Sequence, residues 1–265
     1  MRIALGLEYD GSAFCGWQTQ PSACGVQDHL ESALERFADT PIEITAAGRT
    51  DTGVHATAQV VHFDTEVVRD ENAWVRGTNA CANEALRVLW SHPVAADFHA
   101  RYSALSRTYR YLLLNDPVAP AILRNRVGWF HRPLDVERMR EGAKALVGEH
   151  DFSAFRGSQC QSRSPIRNVM EVGIEREANI VAFTFRANAF LHHMIRNLVG
   201  SLVYVGAGRE DPEWIGTLMK SRDRRLAAPT FSAAGLYLSA VEYDPAFGIP
   251  MFRSLLPTAF RLPPT

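Results

Sequence analysis

The sequence predicts an α+β protein: two similar α+β halves sharing a mixed or antiparallel central sheet, with helices packed on it. Three observations carry this expectation. Segments of period-two apolar alternation are interleaved with segments of helical periodicity along the chain. A stretch from Asn115 to Leu134, with Pro117, Pro120 and Pro133, divides them into halves at 1–115 and 116–265. A chain of 265 residues, 46% apolar and 22% charged, is long enough for one large or two packed cores. That composition excludes disordered, collagenous and coiled-coil classes.

The elements follow in order. Arg2–Tyr9 places Ile3, Leu5, Leu7 and Tyr9 on one face, which is a half-buried strand. Val26–Phe37 aligns Val26, Leu30, Ala33, Leu34 and Phe37 on one helical face. Short strands fit Ile42–Ala46 and Gln59–Asp64, and a helix fits Asp70–Leu89, interrupted or kinked near Gly77. Arg107–Leu114 reads as a strand with Tyr109, Tyr111 and Leu113 on one side. Asp135–Val147 is amphipathic, with Val136, Met139, Ala143 and Leu146 inward. Strands at Val169–Glu175 and Ile180–Arg186, a helix from His192 to Val205 and a last strand at Leu236–Tyr243 complete the pattern.

No window approaches the ~18 uncharged apolar residues of a membrane helix. Glu8 and Asp10 interrupt the N-terminal apolar stretch before a signal-peptide core could form. Cys15, Cys24, Cys81 and Cys160 form no CxxC pair and are expected to be reduced, buried thiols of a cytoplasmic chain. The net charge of −1 hides an uneven distribution. Residues 1–39 hold six acids against Arg2 and Arg36, whereas 101–140 hold eight arginines against Asp116, Asp135 and Glu137. Arginines in the central and C-terminal stretches can present a basic face to a polyanion, although an ordinary solvated surface has the same composition.

Three segments carry chemistry. Ala46–Ala56, AAGRTDTGVHA, is a polar, glycine-bearing loop after a strand. Arg49, Thr50 and Thr52 surround Asp51 with a cation and two hydroxyls, which suits an ionised nucleophile or base; an Asx-type turn with a surface Asp fits equally well. Arg107-Thr108-Tyr109-Arg110-Tyr111 interleaves aromatics with arginines, an arrangement that can stack a base and grip its phosphates, or simply bury core tyrosines. Asn188–Asn197 leads from strand to helix. Its adjacent His192 and His193, if helical, point apart and make a poor metal pair. Its Arg196, amid Phe190, Leu191, Met194 and Ile195, is part-buried and needs an anion: a phosphate, a structural acid or Asp51.

These motifs together resemble the tRNA pseudouridine synthase A family. The resemblance rests on Gly48–Ala56 and on Tyr9-Asp10-Gly11 through Gly16-Trp17-Gln18. It extends through Phe98-His99-Ala100-Arg101, Arg107–Tyr111, Asp151–Phe155, Phe190–Gly200 and Gly235–Leu238 with Val241 and Tyr243, nearly the whole chain. One departure is Phe231, in Ala228–Ser232, where a small residue is expected. The resemblance implies the pseudouridine synthase fold and isomerisation of uridine to pseudouridine at positions 38, 39 and 40 of the tRNA anticodon stem-loop. It implies no cofactor and no metal, a homodimer, and a cytoplasmic setting. It also implies that Asp51 is catalytic, that Arg49 fills the space left by the flipped uridine, and that Tyr109 stacks on the uracil. Arg196 would pair with the catalytic carboxylate and Leu236 would wall the base.

Two other readings remain at this stage. Asp51-Thr52-Gly53 also spells the aspartic protease triplet, but that chemistry needs two carboxylates sharing a proton and the chain has one such triplet. A non-catalytic RNA-binding module, with Asp51 structural, is the other.

Overall fold

In the computed structural model, which describes residues 1–250, the first strand runs as its alternation requires. β1 (Arg2–Tyr9) is buried along most of its length and takes an antiparallel partner on each side, β3 (His55–Asp64) and β4 (Leu86–Val94). β2 (Thr45–Ala46) lies antiparallel on β3, and the last strand, β10 (Leu236–Tyr243), lies parallel to it. The chain forms two compact units, and β10 decides their limits. The first unit holds Met1–Arg107 and returns with the described residues from Tyr237 onward; the second holds Thr108–Leu236. The passage between units thus falls at Arg107/Thr108, within a strand, and the last strand of the sequence belongs with the first ones.

In the first unit, α1 (Val26–Ala38) and α2 (Glu71–Cys81) each start on a built cap. The Asp28 carboxylate accepts the Gly25 N–H at 2.9 Å, and the Asp70 carboxylate accepts that of Ala73 at 2.7 Å. Trp74 of α2 is fully buried, edge-on to Phe37 of α1 and to Phe63 of β3. α2 runs without interruption through Gly77. That glycine is where a Cβ would sit 2.0 Å from the Phe37 ring, so it permits close helix packing.

The helix expected to reach Leu89 stops at Cys81, and Leu86–Val94 is the strand β4. The Asn83 side chain accepts the Ala85 N–H and turns the chain. Asn79 then clamps Val88 by accepting its N–H and donating to its carbonyl, both at 2.8 Å. The ladder with β1 outweighs the helical periodicity. Only the last two residues of Ile42–Ala46 are strand.

The second unit contains most of β5 (Ala104–Asn115), with β6 (Gly128–Phe130) parallel to it, followed by β9 (Ile180–Ala187), β8 (Ile166–Glu177) and β7 (Gly148–Asp151). Its helices are α3 (Val136–Ala143), α4 (Met194–Gly206) and α5 (Trp214–Ser221). α4 is buried almost all round, and its Leu198, Val199 and Leu202 join Phe183 and Phe185 in the core. β4, β6, β7 and α5 are elements the sequence pattern did not announce.

The cysteine expectation is corrected. Cys15 and Cys24 are joined in a disulfide, their Cα atoms 5.4 Å apart, because a turn through Pro21 and a left-handed Ala23 brings them together. The backbone N–H of Cys15 donates to the Cys24 carbonyl across that turn. Cys81 and Cys160 are free and part-exposed rather than buried.

Candidate active site

β2 and β3 are the two arms that hold the Gly48–Val54 loop, and buried polar side chains fix its course. Thr50 is buried, and its hydroxyl shares a 2.8 Å hydrogen bond with that of Tyr9. Gln59, fully buried on β3, donates from its amide to the Gly48 carbonyl at 2.8 Å and to the Tyr9 hydroxyl at 3.4 Å. Burial raises the pKa of Tyr9, so the phenol stays neutral and serves as both donor and acceptor.

The backbone is held as well. Trp17 N–H donates to the Thr50 carbonyl at 2.9 Å, and Val54 N–H to the Asp51 carbonyl at 3.0 Å, closing a turn at Gly53 (φ +79°). A Cβ at Gly16 would approach Thr50 and Thr52 backbone atoms at 3.1 Å, so that glycine lets the Cys15–Trp17 segment lie against the loop. The result is a rigid support carrying a half-buried Asp51 and an exposed Arg49. Next along, His55 is buried and its ring stacks on Tyr237 at 4.7 Å. Its Nδ1 accepts the Gly11 N–H at 3.1 Å and lies 3.2 Å from the Asp10 carboxylate. Tyr9-Asp10-Gly11 is therefore the buttress of the loop.

In the second unit, Tyr109 and Phe190 meet edge to face, ring centroids 5.2 Å apart. Arg196 sits in the first turn of α4, half-buried as expected, with its Nε donating to the Phe231 carbonyl at 2.9 Å. The Phe231 N–H returns a bond to the Arg196 carbonyl, so the atypical Phe231 is pinned to the arginine through its backbone. Its ring meets Tyr111 edge-on, 5.8 Å away. Leu236 is buried, and the preceding Gly235 has no room for a Cβ, which would lie 2.3 Å from the Leu112 carbonyl.

Sequence reasoning missed Asn197. It is fully buried in α4, donates to the Phe155 carbonyl, and accepts from the Thr230 hydroxyl and from Arg224 at 3.0 Å. An amide in an otherwise apolar helix, next to Arg196, was the available signal.

Two readings of side chains change. His192 and His193 precede α4, which starts at Met194, and His193 is left-handed (φ 61°). Their rings consequently stack, 3.8 Å apart, instead of pointing apart as consecutive helical residues would. Arg107 and Arg110 are both buried, so they do not form a phosphate-gripping face with Tyr109 and Tyr111. Burial lowers the pKa of Arg110, with Glu175 opposing.

The chain is matched by the model of a family described as tRNA pseudouridine synthase, over residues 7–103 and 143–244. It is 55% identical over 250 residues to the tRNA pseudouridine synthase A of Thiobacillus denitrificans, spanning 94% of this chain and 96% of that protein. It is 52% identical to the protein of the same name from Methylobacillus flagellatus over 250 residues, with the same coverages. To the Nitrosomonas eutropha protein, also so named, it is 52% identical over 257 residues, 97% of this chain and 93% of the other. With Gly48–Ala56 and Phe190–Gly200 inside the matched segments and similarity across nearly its full length, the chain belongs to the tRNA pseudouridine synthase family.

Proposed function

We propose that this protein isomerises uridine to pseudouridine at positions 38, 39 and 40 of the tRNA anticodon stem-loop, with Asp51 as the catalytic carboxylate. The observation that carries the reading is the support under Asp51. Thr50, Gly48 and the Asp51 carbonyl are each fixed by a hydrogen bond, while the Asp51 side chain reaches the surface. Pre-organisation of this kind is what a carboxylate needs to act at one sugar–base junction.

The reaction breaks the bond between the anomeric carbon and N1 and makes one to C5; C5 loses its hydrogen and N1 gains one. Atoms and electrons balance without an oxidant or a reductant, so no cofactor is invoked. The target uridine leaves its stack first. Arg49, exposed beside Asp51, is assigned to the vacated space, and Tyr109 and Leu236 to the uracil. Arg196, oriented by the Phe231 carbonyl, is assigned to the anionic groups of the reacting site.

In this reading a half at 1–115 carries the catalytic loop and a half at 116–265 carries Arg196. The enzyme works as a homodimer in the cytoplasm, where the Cys15–Cys24 bridge meets reducing thiols.

The test is release of tritium from tRNA labelled at uridine C5, followed by mapping of the product. Adducts of pseudouridine with a carbodiimide stop reverse transcription, and stops at 38–40 are expected. Tritium release with stops elsewhere would overturn the positional assignment, and no release from any tRNA would overturn the activity.

A further inference from the structure

The loop Phe98–Ser103 is tied down more heavily than a surface connection needs to be. Arg2 donates to the Phe98 carbonyl at 2.8 Å, and the Tyr243 hydroxyl to the Ala100 carbonyl at 2.7 Å. The Ala100 N–H donates to His62 Nδ1, and the Arg101 and Tyr102 N–H groups both donate to His99 Nδ1. The His99 N–H and the Ser103 hydroxyl close the loop on itself. Yet this fixed loop holds Tyr102 with 75% of its surface in water. The Arg101 guanidinium carbon lies 5.5 Å from the Tyr102 ring centroid, and the His99 ring lies 4.3 Å from it.

Buried Arg107 locates this platform. One guanidinium nitrogen, Nη2, donates to the Arg101 carbonyl and to the Ala47 carbonyl, the latter at 3.0 Å. Ala47 is the residue before Gly48-Arg49-Thr50-Asp51, so the platform and the Asp51 loop hang from the same side chain. A rigid, solvent-facing ring flanked by a guanidinium is the arrangement that stacks a nucleobase and meets its phosphate, at little ordering cost because the loop is already fixed.

We infer that Arg101 and Tyr102 form a subsite for a nucleotide flanking the reacting uridine, Tyr102 stacking its base and Arg101 contacting its phosphate. The position beside the reacting uridine rests on the assignment of Asp51 as catalytic; the RNA contact itself does not.

The experiment measures affinity for an anticodon stem-loop RNA by fluorescence anisotropy, and turnover of tRNA by tritium release. Tyr102→Ala should weaken RNA binding by about 5- to 150-fold, the equivalent of one lost base stack. Tyr102→Phe, which keeps the ring, should restore affinity to within about twofold on the same reasoning. Arg101→Gln should lower the slope of log affinity against log salt by about 1. An abasic nucleotide beside the target uridine should weaken wild type and add nothing to Tyr102→Ala. Unchanged affinity in Tyr102→Ala, with or without a change in sedimentation that would mark a protein interface, overturns the subsite. Lost affinity in Tyr102→Ala alongside a wild type that releases no tritium would uphold the RNA contact and overturn the catalytic reading alone.

Discussion

Thr50 and Asp51 are neighbours with opposite exposures, and their chemistry follows from that. Thr50 is a buried anchor bonded to Tyr9, whereas Asp51 is only half-buried. Asp51→Asn preserves shape and removes charge, so it should abolish tritium release while tRNA affinity stays within several-fold; turnover above about a tenth of wild type would overturn its role. Tyr109 permits a finer distinction. Tyr109→Phe keeps the ring against Phe190 and loses the hydroxyl, so crippled turnover would mark a proton relay. Near-normal turnover in Phe, with Tyr109→Leu weakening binding by about 1–3 kcal/mol, would mark stacking alone. His62 supplies a pH prediction. Burial, then nearby Arg2 and His99, push its pKa down to about 4. The folded state therefore resists protonation that the unfolded chain accepts near 6.5. Stability is undiminished above that pH and falls as pH drops toward 4, by up to about 3 kcal/mol, because the unfolded state binds more protons over that window. A histidine resonance with a midpoint near 4 in an NMR titration is the check. At this scale the half-buried setting of Arg196 was legible, because its apolar neighbours announce it. The sequence did not tell buried Arg107 and Arg110 from phosphate-facing arginines, since period two places a residue on a face without saying what covers that face.

Elements whose periodicity is supported by their partners were legible. β1 and β10 have the limits their alternation indicates, and α1 differs by one residue at its end. β4 was not, because the period-two run from Leu86 begins directly behind a helix and is selected by pairing with β1, a long-range contact no local window contains. The bridge between Cys15 and Cys24 was missed for a related reason: a separation of nine residues carries no signature, and only the turn at Ala23 makes it closable. Reduction should free a short loop lying against the Asp51 segment and cost about 2–3 kcal/mol. Calorimetry with and without reductant should show a lower Tm in the reduced protein, and an unchanged Tm would count against that contribution. α4 offers a second test. A Cβ at Gly200 would lie 2.4 Å from the Pro229 carbonyl, so Gly200→Ala must push the helix from the segment that bears Thr230 and Phe231. About 1–3 kcal/mol of destabilisation is expected in chemical denaturation.

For the molecule as a whole, net charge is a poor guide to partners. Affinity for tRNA should fall steeply between 50 and 200 mM salt, about threefold per phosphate contact, although the chain carries a formal charge of −1. A flat response would contradict an arginine-mediated grip. The α+β class was readable from composition and periodicity, whereas the passage between units at Arg107/Thr108 was not, because it falls inside a strand and carries no proline or glycine signal. That topology has a consequence for how the protein is made. β3, which carries one arm of the Asp51 loop, is finished at Asp64, but its parallel neighbour β10 starts at Leu236, and the ring that stacks on His55 belongs to Tyr237. At ribosomal elongation rates the interval between those segments is on the order of ten seconds. Throughout it, the strand bearing His55 has an open edge, while residues 108–236 of the second unit emerge in one block. A nascent chain stalled before Tyr237 thus holds every residue of the Asp51 loop and lacks the strand that pairs with β3 beside it, so the loop's support is complete only once Leu236–Tyr243 has emerged.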